Sequence, residues 1–471
     1  MEEIGFEARE YRSDRSFSEA VYRLEGDEVG GWRIWRDGRP HLELGPGYRL
    51  LRTQACGVCS TDLARHLLPF PLPQVTGHEL VATDAQGQRY VVEINASHAA
   101  RGVDGSCPFC AGGLATHCPD RLVLGIHDLP GGFGPWVLAP LHAALPVPDD
   151  VPTSAAVLVE PFAAALHAVT TVDPRAGECV AVLGPRRLGL LVVAALAAHR
   201  ARTGVHFEIV ALSRHAELNR LALGFGADRS LAVEGEGANL ADALCERVFD
   251  TTGSPAGLEL ALRLARREVH LKSTHGRPAG GLEHLTELVV DELSVAPFVS
   301  GDVPDGARVA WLASARPPGE LAGRTHLLRG LDAAAQLAEL EAGARGGGLP
   351  RADVAVVSSP AEADRAIRPR AADERSLVRP RGAILVHPWA RVERSALLRA
   401  VLERNLRLSS SRCGDFRRAL ELIRSDPELR RLGEKLVTHR FGAGDLEHAF
   451  ETARLSGCIK AVVEHEPGVS R

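Results

Sequence analysis

The stretch CVAVLGPRRLGLLVVAALAAHRA, residues 179–201, decides the fold of this 471-residue chain. Its first five residues, Cys179–Leu183, are apolar and predict a fully buried strand. A turn containing Gly184 and Gly189 follows, and the apolar run Leu188–Ala201 then predicts a helix. A strand, a glycine turn and a helix in this order are typical of the first βαβ unit of a dinucleotide-binding sheet.

Predicted strands and helices alternate on both sides of this stretch, which indicates βαβ units and a parallel sheet. One series ends near residue 272, and a second series runs from 307 to 408. The second series repeats the pattern and order of the first, which suggests internal repetition. The predicted strands are His206–Leu212, Val248–Thr251, Glu268–Lys272, Val309–Ala313, Ala352–Val357 and Ala383–Val386, and the predicted helices are Pro161–Val172, Ala216–Phe225, Ala256–Ala265, Leu331–Ala344, Ala361–Ile367 and Arg394–Glu403.

The first 150 residues have a different texture and predict a β-rich region. Short alternating runs such as Trp32–Trp35 and Tyr48–Thr53 are separated by Gly and Pro, and no long helical period is present. A loop at Ser97–Arg121 carries three cysteines. We therefore expect two kinds of domain, with the change of texture at Pro161.

The composition excludes several classes of partner. A formal charge of −5, with 45% apolar and 24% charged residues, is typical of a globular protein and predicts neither a nucleic-acid nor a membrane partner. The longest apolar run is broken by His199 and Arg200 before the roughly 18 residues that a membrane helix needs. The charged N-terminal sequence lacks the apolar core of a signal peptide. We expect a cytoplasmic protein whose nine cysteines serve packing, metal binding or catalysis rather than disulfides.

Three short segments carry the strongest chemical signal: CSTD at 59–62, GHE at 77–79 and VEP at 159–161. They supply one thiolate, one imidazole and carboxylates. Zn²⁺ accepts all three ligand types, and a catalytic zinc keeps one position open for water or substrate. The segments therefore predict a catalytic zinc site.

The order and spacing of these segments resemble those of the zinc-dependent medium-chain dehydrogenase/reductases, in the sorbitol-, threonine- and glucose-dehydrogenase-like branch. The resemblance spans roughly residues 40–295 and 406–463. It implies an α/β fold: a β-rich GroES-like catalytic domain and a doubly wound parallel-sheet (Rossmann) domain with an additional α/β insert. The implied boundaries are 1–160 completed by 415–471 for the first domain, 161–296 completed by 406–414 for the second, and 297–405 for the insert.

By this resemblance, the ligands of the catalytic zinc are Cys59, His78 and Glu160. Glu79 lies next to His78 and either replaces one of them or stands behind them. Cys56 forms a C-x-x-C with Cys59, and we interpret it as a small buried residue, because the family ligand is the second cysteine.

The resemblance also assigns two residues of the first segment. Thr61 takes the proton of the substrate hydroxyl, and Asp62 orients the imidazole of the histidine ligand through its other nitrogen. The histidine that continues the proton relay in many alcohol dehydrogenases is replaced by Ala64. His66 is nearby, and we interpret it as a surface residue.

A second metal site is predicted in the cysteine-rich loop. Cys107, Cys110 and Cys118 match three of the four cysteines of the family's structural zinc lobe. The fourth position is open: spacing favours Asp104, whereas the ligand chemistry of zinc favours His98.

The turn after the first strand predicts a dinucleotide site. Gly184 makes the turn, Gly189 allows close helix–strand contact, and Arg186 stands where the middle glycine is expected. The arginine either blocks the usual backbone approach or pairs with a phosphate. Ser213 and Arg214 end the second strand in place of an acidic residue, which favours NADP(H) over NAD(H), although a solvated surface arginine would look the same.

The expected function is an oxidoreductase that transfers hydride between an alcohol or polyol and NAD(P), with a small alcohol or carbonyl substrate. Lys460 matches a family position near the cofactor phosphates, and a surface role is equally compatible with the sequence. The resemblance also suggests a homodimer or tetramer. The alternative is a catalytically impaired binding or regulatory protein on the same scaffold, because Arg186 and the insert depart from the pattern. Zinc-independent enone reduction is disfavoured by the metal segments.

Overall fold

The computed structural model describes residues 2–68, 70–103, 107–234, 240–272, 276–344, 349–370 and 375–466. The chain forms two compact units. Unit 1 consists of residues 1–163 and 413–471, and unit 2 consists of residues 164–412. Within the described residues, no helix is both long and apolar enough to cross a membrane.

Unit 1 consists mainly of antiparallel strands, and unit 2 consists of βαβ units. The strands are β1 Glu2–Tyr11, β2 Phe17–Asp27, β3 Gly31–Arg36, β4 Arg39–Leu44, β5 Tyr48–Gly57, β6 Glu79–Thr83, β7 Arg89–Val92, β8 Asn95–Ala96, β9 Leu122–Val123, β10 Trp136–Pro140, β11 Ala144–Pro146, β12 Cys179–Leu183, β13 Glu208–Ser213, β14 Arg229–Ala232, β15 Cys245–Asp250, β16 Ala265–Leu271, β17 Ser294–Pro297, β18 Arg308–Trp311, β19 His326–Leu328, β20 Ala352–Val357, β21 Val378–Val386, β22 Arg407–Ser410, β23 Val437–Gly442 and β24 Lys460–Glu464. The helices are α1 Ser60–Leu63, α2 His98–Arg101, α3 Pro108–Ala111, α4 Thr153–Ala156, α5 Val159–Val172, α6 Arg187–Thr203, α7 Ala216–Gly224, α8 Pro255–Leu264, α9 Leu285–Val290, α10 Gly319–Arg324, α11 Ala333–Gly343, α12 Pro360–Ile367, α13 Ala396–Arg404, α14 Phe416–Ser425, α15 Pro427–Arg430, α16 Leu432–Leu436 and α17 Leu446–Arg454.

Unit 1 is built mainly on antiparallel pairs, as the alternating N-terminal pattern predicts, and only β23 and β24 pair in parallel among its described strands. Strands β1–β4 form a four-stranded meander, and β5 lies at the centre of a seven-stranded sheet in which it pairs with β6, β10 and β24. The β5–β6 register sets Gly57 opposite Glu79. The segments 57–62 and 77–79, which the chain separates by a single loop region, are therefore brought side by side.

Unit 2 contains one eleven-stranded sheet in the order β14-β13-β12-β15-β16-β22-β17-β21-β20-β18-β19. Its strand β12 is the apolar run predicted from the sequence, and all its residues except the first are buried. The chain passes from β12 to β13 on one side and then to β15 on the other. This reversal is a topological switch point, where doubly wound sheets bind their ligands at the carboxyl ends of the strands.

The second series of βαβ units repeats this order. Strand β18 is followed by β19 on one side and β20 on the other, and β21 lies next to β20 as β16 lies next to β15. The two halves meet at β17 and β22, which form the one antiparallel pair in the described part of this sheet. The segment 297–405 thus extends the sheet of unit 2 and shares one apolar core with the first half.

Matching helix starts explain why the two halves look alike in sequence. Ser254 and Ser359 each cap a helix by accepting a hydrogen bond from the backbone N–H three residues later. In each case proline follows at the first helical position, where its missing N–H costs nothing. Predicted helix boundaries in both halves were therefore close to those observed. The short strands β14, β17 and β19 have no strong pattern, and the sequence did not predict them.

The cysteine prediction was wrong at two positions. The expectation that the cysteines form no disulfides fails for Cys179 and Cys245, which the structure joins in a disulfide. They lie on the neighbouring strands β12 and β15, which are separated by 66 residues of sequence. Strand adjacency of this kind cannot be deduced from cysteine spacing.

A buried histidine on β16 predicts a pH dependence of stability. Burial lowers the pKa of His270 well below its ordinary value of about 6.5, and the charge of Lys272 lowers it further. The unfolded chain therefore binds a proton that the folded chain excludes once the pH falls below about 6.5. The contribution of the neutral His270 to the free energy of unfolding is therefore complete above that pH and is lost as the pH falls.

We expect His270 to account for about 1 kcal/mol of lost stability between pH 7.5 and 5.5. Urea unfolding of the wild type and of His270→Gln at both pH values measures this contribution. The wild type should lose about 1 kcal/mol more than the variant over this range. An identical pH dependence in the two proteins would contradict the assignment.

Candidate functional site

The first cluster of metal-binding side chains lies in unit 1, at the ends of β5 and β6. One ligand atom each from Cys59, His78 and Glu79 lies within 4.8 Å of the others. His78 and Glu79 are buried, and Cys59 is half-buried. A thiolate, an imidazole and a carboxylate match the ligand preferences of Zn²⁺. The donor set therefore fits the metal predicted from the sequence.

Asp62 organises this cluster from behind. One carboxylate oxygen of Asp62 accepts a hydrogen bond from the backbone N–H of Cys59 (2.8 Å), and the other accepts one from that of Gly77 (3.3 Å). Asp62 Oδ1 also lies 3.4 Å from His78 Nδ1. Burial lowers the pKa of His78, but the Asp62 carboxylate and the Cys59 thiolate together outweigh this effect and raise it. Asp62 thus lies beside the imidazole where the resemblance implies an orienting carboxylate, and that role stays a prediction.

Glu79 is held in the cluster by a buried ion pair. Its carboxylate contacts the ammonium of Lys460, whose Nζ also donates to the carbonyl of Val58 (3.3 Å). A Cβ atom at Gly57 would lie 2.4 Å from Glu79 Oε2 and 2.9 Å from Lys460 Cε. Only glycine leaves room for this pair without a shift of both side chains. The proposed contact of Lys460 with cofactor phosphates stays a prediction.

The remaining residues predicted for this site lie on its flanking helices. Thr61 is half-buried in the first turn of α1, two residues after Cys59. Glu160 is half-buried in the first turn of α5 and is not among the side chains that converge with Cys59. The structure therefore brings together the set that contains Glu79. Cys56 is fully buried, and burial raises the pKa of its thiol, in keeping with a packing role.

The second cluster in unit 1 joins all four residues of one predicted structural site. Ligand atoms of His98, Cys107, Cys110 and Cys118 lie within 4.8 Å of one another. His98 Nδ1 is 3.3 Å from Cys118 Sγ, and Cys107 Sγ is 3.8 Å from Cys118 Sγ. Burial and the neighbouring thiols raise the pKa of Cys118 to about 12. A Cys₃His set suits structural zinc, whose charge would stabilise three adjacent thiolates.

One residue at this cluster was missed by sequence reasoning. Asp120 Oδ2 lies 3.8 Å from His98 Nε2, on the side of the ring opposite the cysteines. At this distance the two groups form no hydrogen bond, so Asp120 places a negative charge beside the ring without fixing its tautomer. An acidic residue two positions after Cys118 is the feature of the sequence that could have pointed to Asp120. The alternative ligand Asp104 lies outside the described residues.

The nucleotide-binding turn of unit 2 has two of the three glycine features expected. Gly184 has φ of +81°, and a Cβ there would lie 2.9 Å from Thr252 Cγ2. A Cβ at Gly189 would lie 2.6 Å from both the Gly184 carbonyl oxygen and Thr251 Oγ1. These contacts require glycine at both positions, as a dinucleotide fingerprint does. The turn therefore fits a nicotinamide dinucleotide.

The other predicted cofactor residues surround this turn. Arg186 precedes α6, and its backbone N–H donates to the Gly184 carbonyl (2.7 Å). Ser213 ends β13, where its hydroxyl accepts a hydrogen bond from the backbone N–H of His215 (3.1 Å), and the intervening Arg214 is exposed. Asn219, which the sequence did not single out, donates to the Ser213 carbonyl (3.1 Å) and holds this strand end in place.

Comparison with known proteins gives relatives that match parts of the chain. Residues 45–149 match the family profile described as the alcohol dehydrogenase GroES-like domain. An L-threonine 3-dehydrogenase of Rhizobium rhizogenes is 30% identical over 246 residues, which is 50% of this chain and 67% of that protein. That of Mesorhizobium japonicum is 32% identical over 170 residues, or 34% of this chain and 48% of that protein.

Solved structures match along almost the whole chain. A zinc-binding dehydrogenase of Sinorhizobium meliloti bound to NADP has a TM-score of 0.53 at 17% identity, covering 98% of this chain and 99% of that one. For 2R,3R-butanediol dehydrogenase of Bacillus subtilis the TM-score is 0.52 at 16% identity, with the same coverage. At these identities the likeness shows the fold.

Proposed function

Because the chain belongs to the zinc-dependent medium-chain dehydrogenase/reductase family, we propose that it is an oxidoreductase that transfers hydride between an alcohol or polyol and a nicotinamide cofactor. The observation that carries the proposal is the convergence of Cys59, His78 and Glu79 at one buried point. A structural role alone would not require three different zinc donors beside an orienting carboxylate.

Cys59, His78 and a glutamate would hold a zinc ion, which would supply polarisation of the substrate oxygen, while a nicotinamide cofactor would supply the hydride acceptor or donor. Asp62 would keep the imidazole oriented. Thr61 Oγ1 would accept the hydroxyl proton and release its own hydrogen to water, since the half-buried side chain keeps some contact with solvent. Unit 2 contributes the turn at Gly184, which lets the backbone come close to the cofactor pyrophosphate.

Zinc content and NADP⁺ reduction across a panel of alcohols and polyols test the proposal. We expect about two zinc ions per chain, and activity that chelation removes and zinc restores. Activity that survives complete removal of metal would contradict it. NADPH binding without turnover of any substrate in the panel would support the second candidate, a binding protein on this scaffold, for which Arg186 in the fingerprint is the specific observation.

The identity of the carboxylate ligand gives a separate prediction. Glu79 stands in the cluster, whereas the resemblance assigns the third ligand to Glu160. If Glu79 binds the metal, Glu79→Gln should lower the zinc affinity of this site by 10- to 100-fold or more, and Glu160→Gln should change it less. Zinc affinity measured by competition with a chelator distinguishes the two. The reverse order would assign the ligand to Glu160.

We propose NADP(H) as the preferred cofactor, because Ser213 and Arg214 offer a hydroxyl and a cation where an acidic residue would bind a free ribose. Arg214→Ala should raise the Kd for NADPH about tenfold, since a charge-assisted hydrogen bond contributes roughly 1.5–3 kcal/mol. The Kd for NADH should stay within a factor of about two. An equal increase of the Kd values for NADPH and NADH would show that Arg214 does not determine which cofactor the site prefers.

The thiols of both metal clusters must be reduced to bind zinc, and this supports the cytoplasm as the site of action, whereas the Cys179–Cys245 disulfide argues against it. The small alcohol or carbonyl substrate and a homodimer or tetramer are also part of this proposal.

A further inference from the structure

The eleven-stranded sheet of unit 2 ends at β19 without a covering strand. In the first half of this sheet, β13 is followed by α7 and then by β14, which pairs in parallel with β13 and is the outermost strand. In the second half, β19 is followed by α11, and the described strands of this half include no counterpart of β14. The position that β14 fills beside β13 is therefore unfilled beside β19.

The connection after α11 is too short to supply the missing strand. Residues 225–244 lie between α7 and β15 and contain β14, whereas only residues 344–351 lie between α11 and β20. A strand beside β19 would have to return to the start of β20, and a connection between parallel strands takes about a dozen residues or more. This edge of the sheet is therefore open to a strand from elsewhere.

An open groove lies beside this edge. Its volume is about 880 Å³, and its walls come from β19, α10 and α11. The backbone N–H of His326 donates to the Ala307 carbonyl (2.9 Å), so His326 faces β18. Because the backbone groups of successive residues in a strand point to opposite sides, those of Leu327 point away from β18. Free groups of this kind on an edge strand are a template for pairing with another strand.

Unit 1 has a second uncovered edge, on β1. This strand is the outermost of its four-stranded sheet and pairs with β2. Tyr11, at its end, exchanges two backbone hydrogen bonds with Gln74 (2.8 and 3.1 Å), so Tyr11 faces away from β2. The register of β1 against β2 is continuous, so the backbone groups of Glu3, Gly5 and Glu7 also face away from β2. Among the described strands, only β2 pairs with this part of β1.

The free part of β1 is acidic. Glu3 and Glu7 are exposed, on the face of β1 that does not pack against the core of unit 1. The guanidinium of Arg23 lies 3.4 Å from the Glu3 carboxylate, and Arg9, further along β1, lies 3.9 Å from Glu447. No ion pair of Glu7 is among those of the described residues. Its carboxylate is therefore available to a basic partner.

The groove beside β19 has the opposite charge. Asp353 is shared by Arg308 and Arg379, at 3.7 and 2.8 Å, so these three groups together leave one positive charge. Arg308 is in the lining of the groove, together with the exposed side chains of Arg329 and Glu339, whose charges balance each other. The groove is thus basic overall. Pairing of two such grooves would bring like charges together, whereas the β1 edge is complementary in charge.

We propose that the β1 edge of one copy of this chain docks as an added strand in the groove beside β19 of a second copy. Backbone hydrogen bonds supply the affinity of such a contact, and the charges select the partner. A contact between two different surfaces of one chain is heterologous, so copies join head to tail. Neither edge contains a residue of the metal clusters or of the nucleotide-binding turn, so the inference does not depend on hydride transfer.

Two proline variants test the two edges separately. Leu327→Pro and Gly5→Pro each remove one outward N–H and leave the pairing with β18 or β2 in place, because proline is tolerated at the free side of an edge strand. The matched controls Leu327→Ala and Gly5→Ala keep the N–H, and a Cβ at Gly5 would lie 3.9 Å from the Tyr22 carbonyl oxygen, an ordinary contact. We expect each proline variant to raise the Kd of self-association at least about tenfold, and each alanine control to stay within a factor of about three. Sedimentation velocity of the full chain over a range of protein concentrations measures these values.

Charge reversal gives a test that loss of folding cannot imitate. Glu7→Lys and Arg329→Glu should each weaken self-association when studied alone. An equimolar mixture of the two variants should associate more tightly than either one, because the lysine edge of the first then meets the glutamate groove of the second. Absence of this rescue in the mixture would count against the pairing of these two edges.

A wild type that stays a single chain at every concentration would overturn the inference without any variant. Self-association that both proline variants leave unchanged would also overturn it and would assign the contact between copies to another surface. A loss in Gly5→Pro without a loss in folded Leu327→Pro would remove the groove from the contact. If Leu327→Pro fails to fold, Gly5→Pro and the mixing experiment decide the question, and the zinc and NADPH experiments test the proposed function independently.

Discussion

Replacing Cys59 with alanine is expected to lower kcat/KM for alcohol oxidation at least about a thousandfold, because polarisation of a substrate oxygen by zinc contributes several kcal/mol to the transition state. The zinc content should fall from about two ions per chain to one. Cys59 belongs to the cluster that also contains His78 and Glu79. Steady-state kinetics and metal analysis of the same preparation measure both effects.

The matched control for this experiment is Cys56→Ala. Cys56 lies three residues earlier, is fully buried and is not part of the metal cluster. We expect this variant to keep both zinc ions and most of its activity, with only a packing loss of stability. A Cys59→Ala protein that retained wild-type kcat/KM would refute the catalytic assignment. Equal losses of zinc in the two variants would point to a general effect on the fold.

Replacing His98 with alanine is expected to remove the structural zinc and to lower the Tm by about 10 °C, because a structural metal contributes its binding free energy to folding. The ring of His98 lies between the thiol of Cys118 and the carboxylate of Asp120. Loss of the fourth ligand leaves three adjacent thiols without the charge that stabilises their ionised form. Calorimetry and metal analysis at equal protein concentration measure the effect.

Two further variants separate the ligand role of His98 from a packing role. His98→Cys restores a four-thiolate set and should keep the zinc and most of the Tm, whereas a side chain needed only for packing would not be rescued in this way. Asp104→Ala should have little effect if His98 is the ligand. Zinc loss in Asp104→Ala with full retention in His98→Ala would reverse the assignment.

The sequence predicted the class of the fold because both of its signals are local. The apolar run of β12, the glycine turn and the long helix α6 depend on neighbours a few residues apart, and their predicted positions agree with the structure to within a few residues. The strand and helix predicted from the repeated pattern at 352–360 also agree with the structure, because capping serines and prolines act within one turn. Strands of three or four residues, such as β17, carry too little pattern to be predicted.

At the metal clusters, the sequence identifies candidate ligands but not which of them come together. The segments that contain Cys59, His78 and Glu79 were found from their residue types, and Cys107, Cys110 and Cys118 from their spacing. Whether Glu79 or Glu160 faces the cluster depends on the register of β5 against β6 and on the ion pair with Lys460, 381 positions along the chain from Glu79. The sequence alone left both Glu79 and Glu160 as candidate ligands.

The chain of amino acids by itself determined the donor types, the nucleotide-binding turn and the alternation of strands and helices, since these follow from local chemistry and periodicity. Tertiary structure decided that two βαβ series join through β17 and β22 into one sheet, and that Cys179 meets Cys245. It also decided the environment of His270, whose serine partners lie 139 and 141 residues away. Contacts between residues that are distant in the sequence depend on which strands pair. That pairing is stabilised by many side chains along the chain, and no single motif determines it.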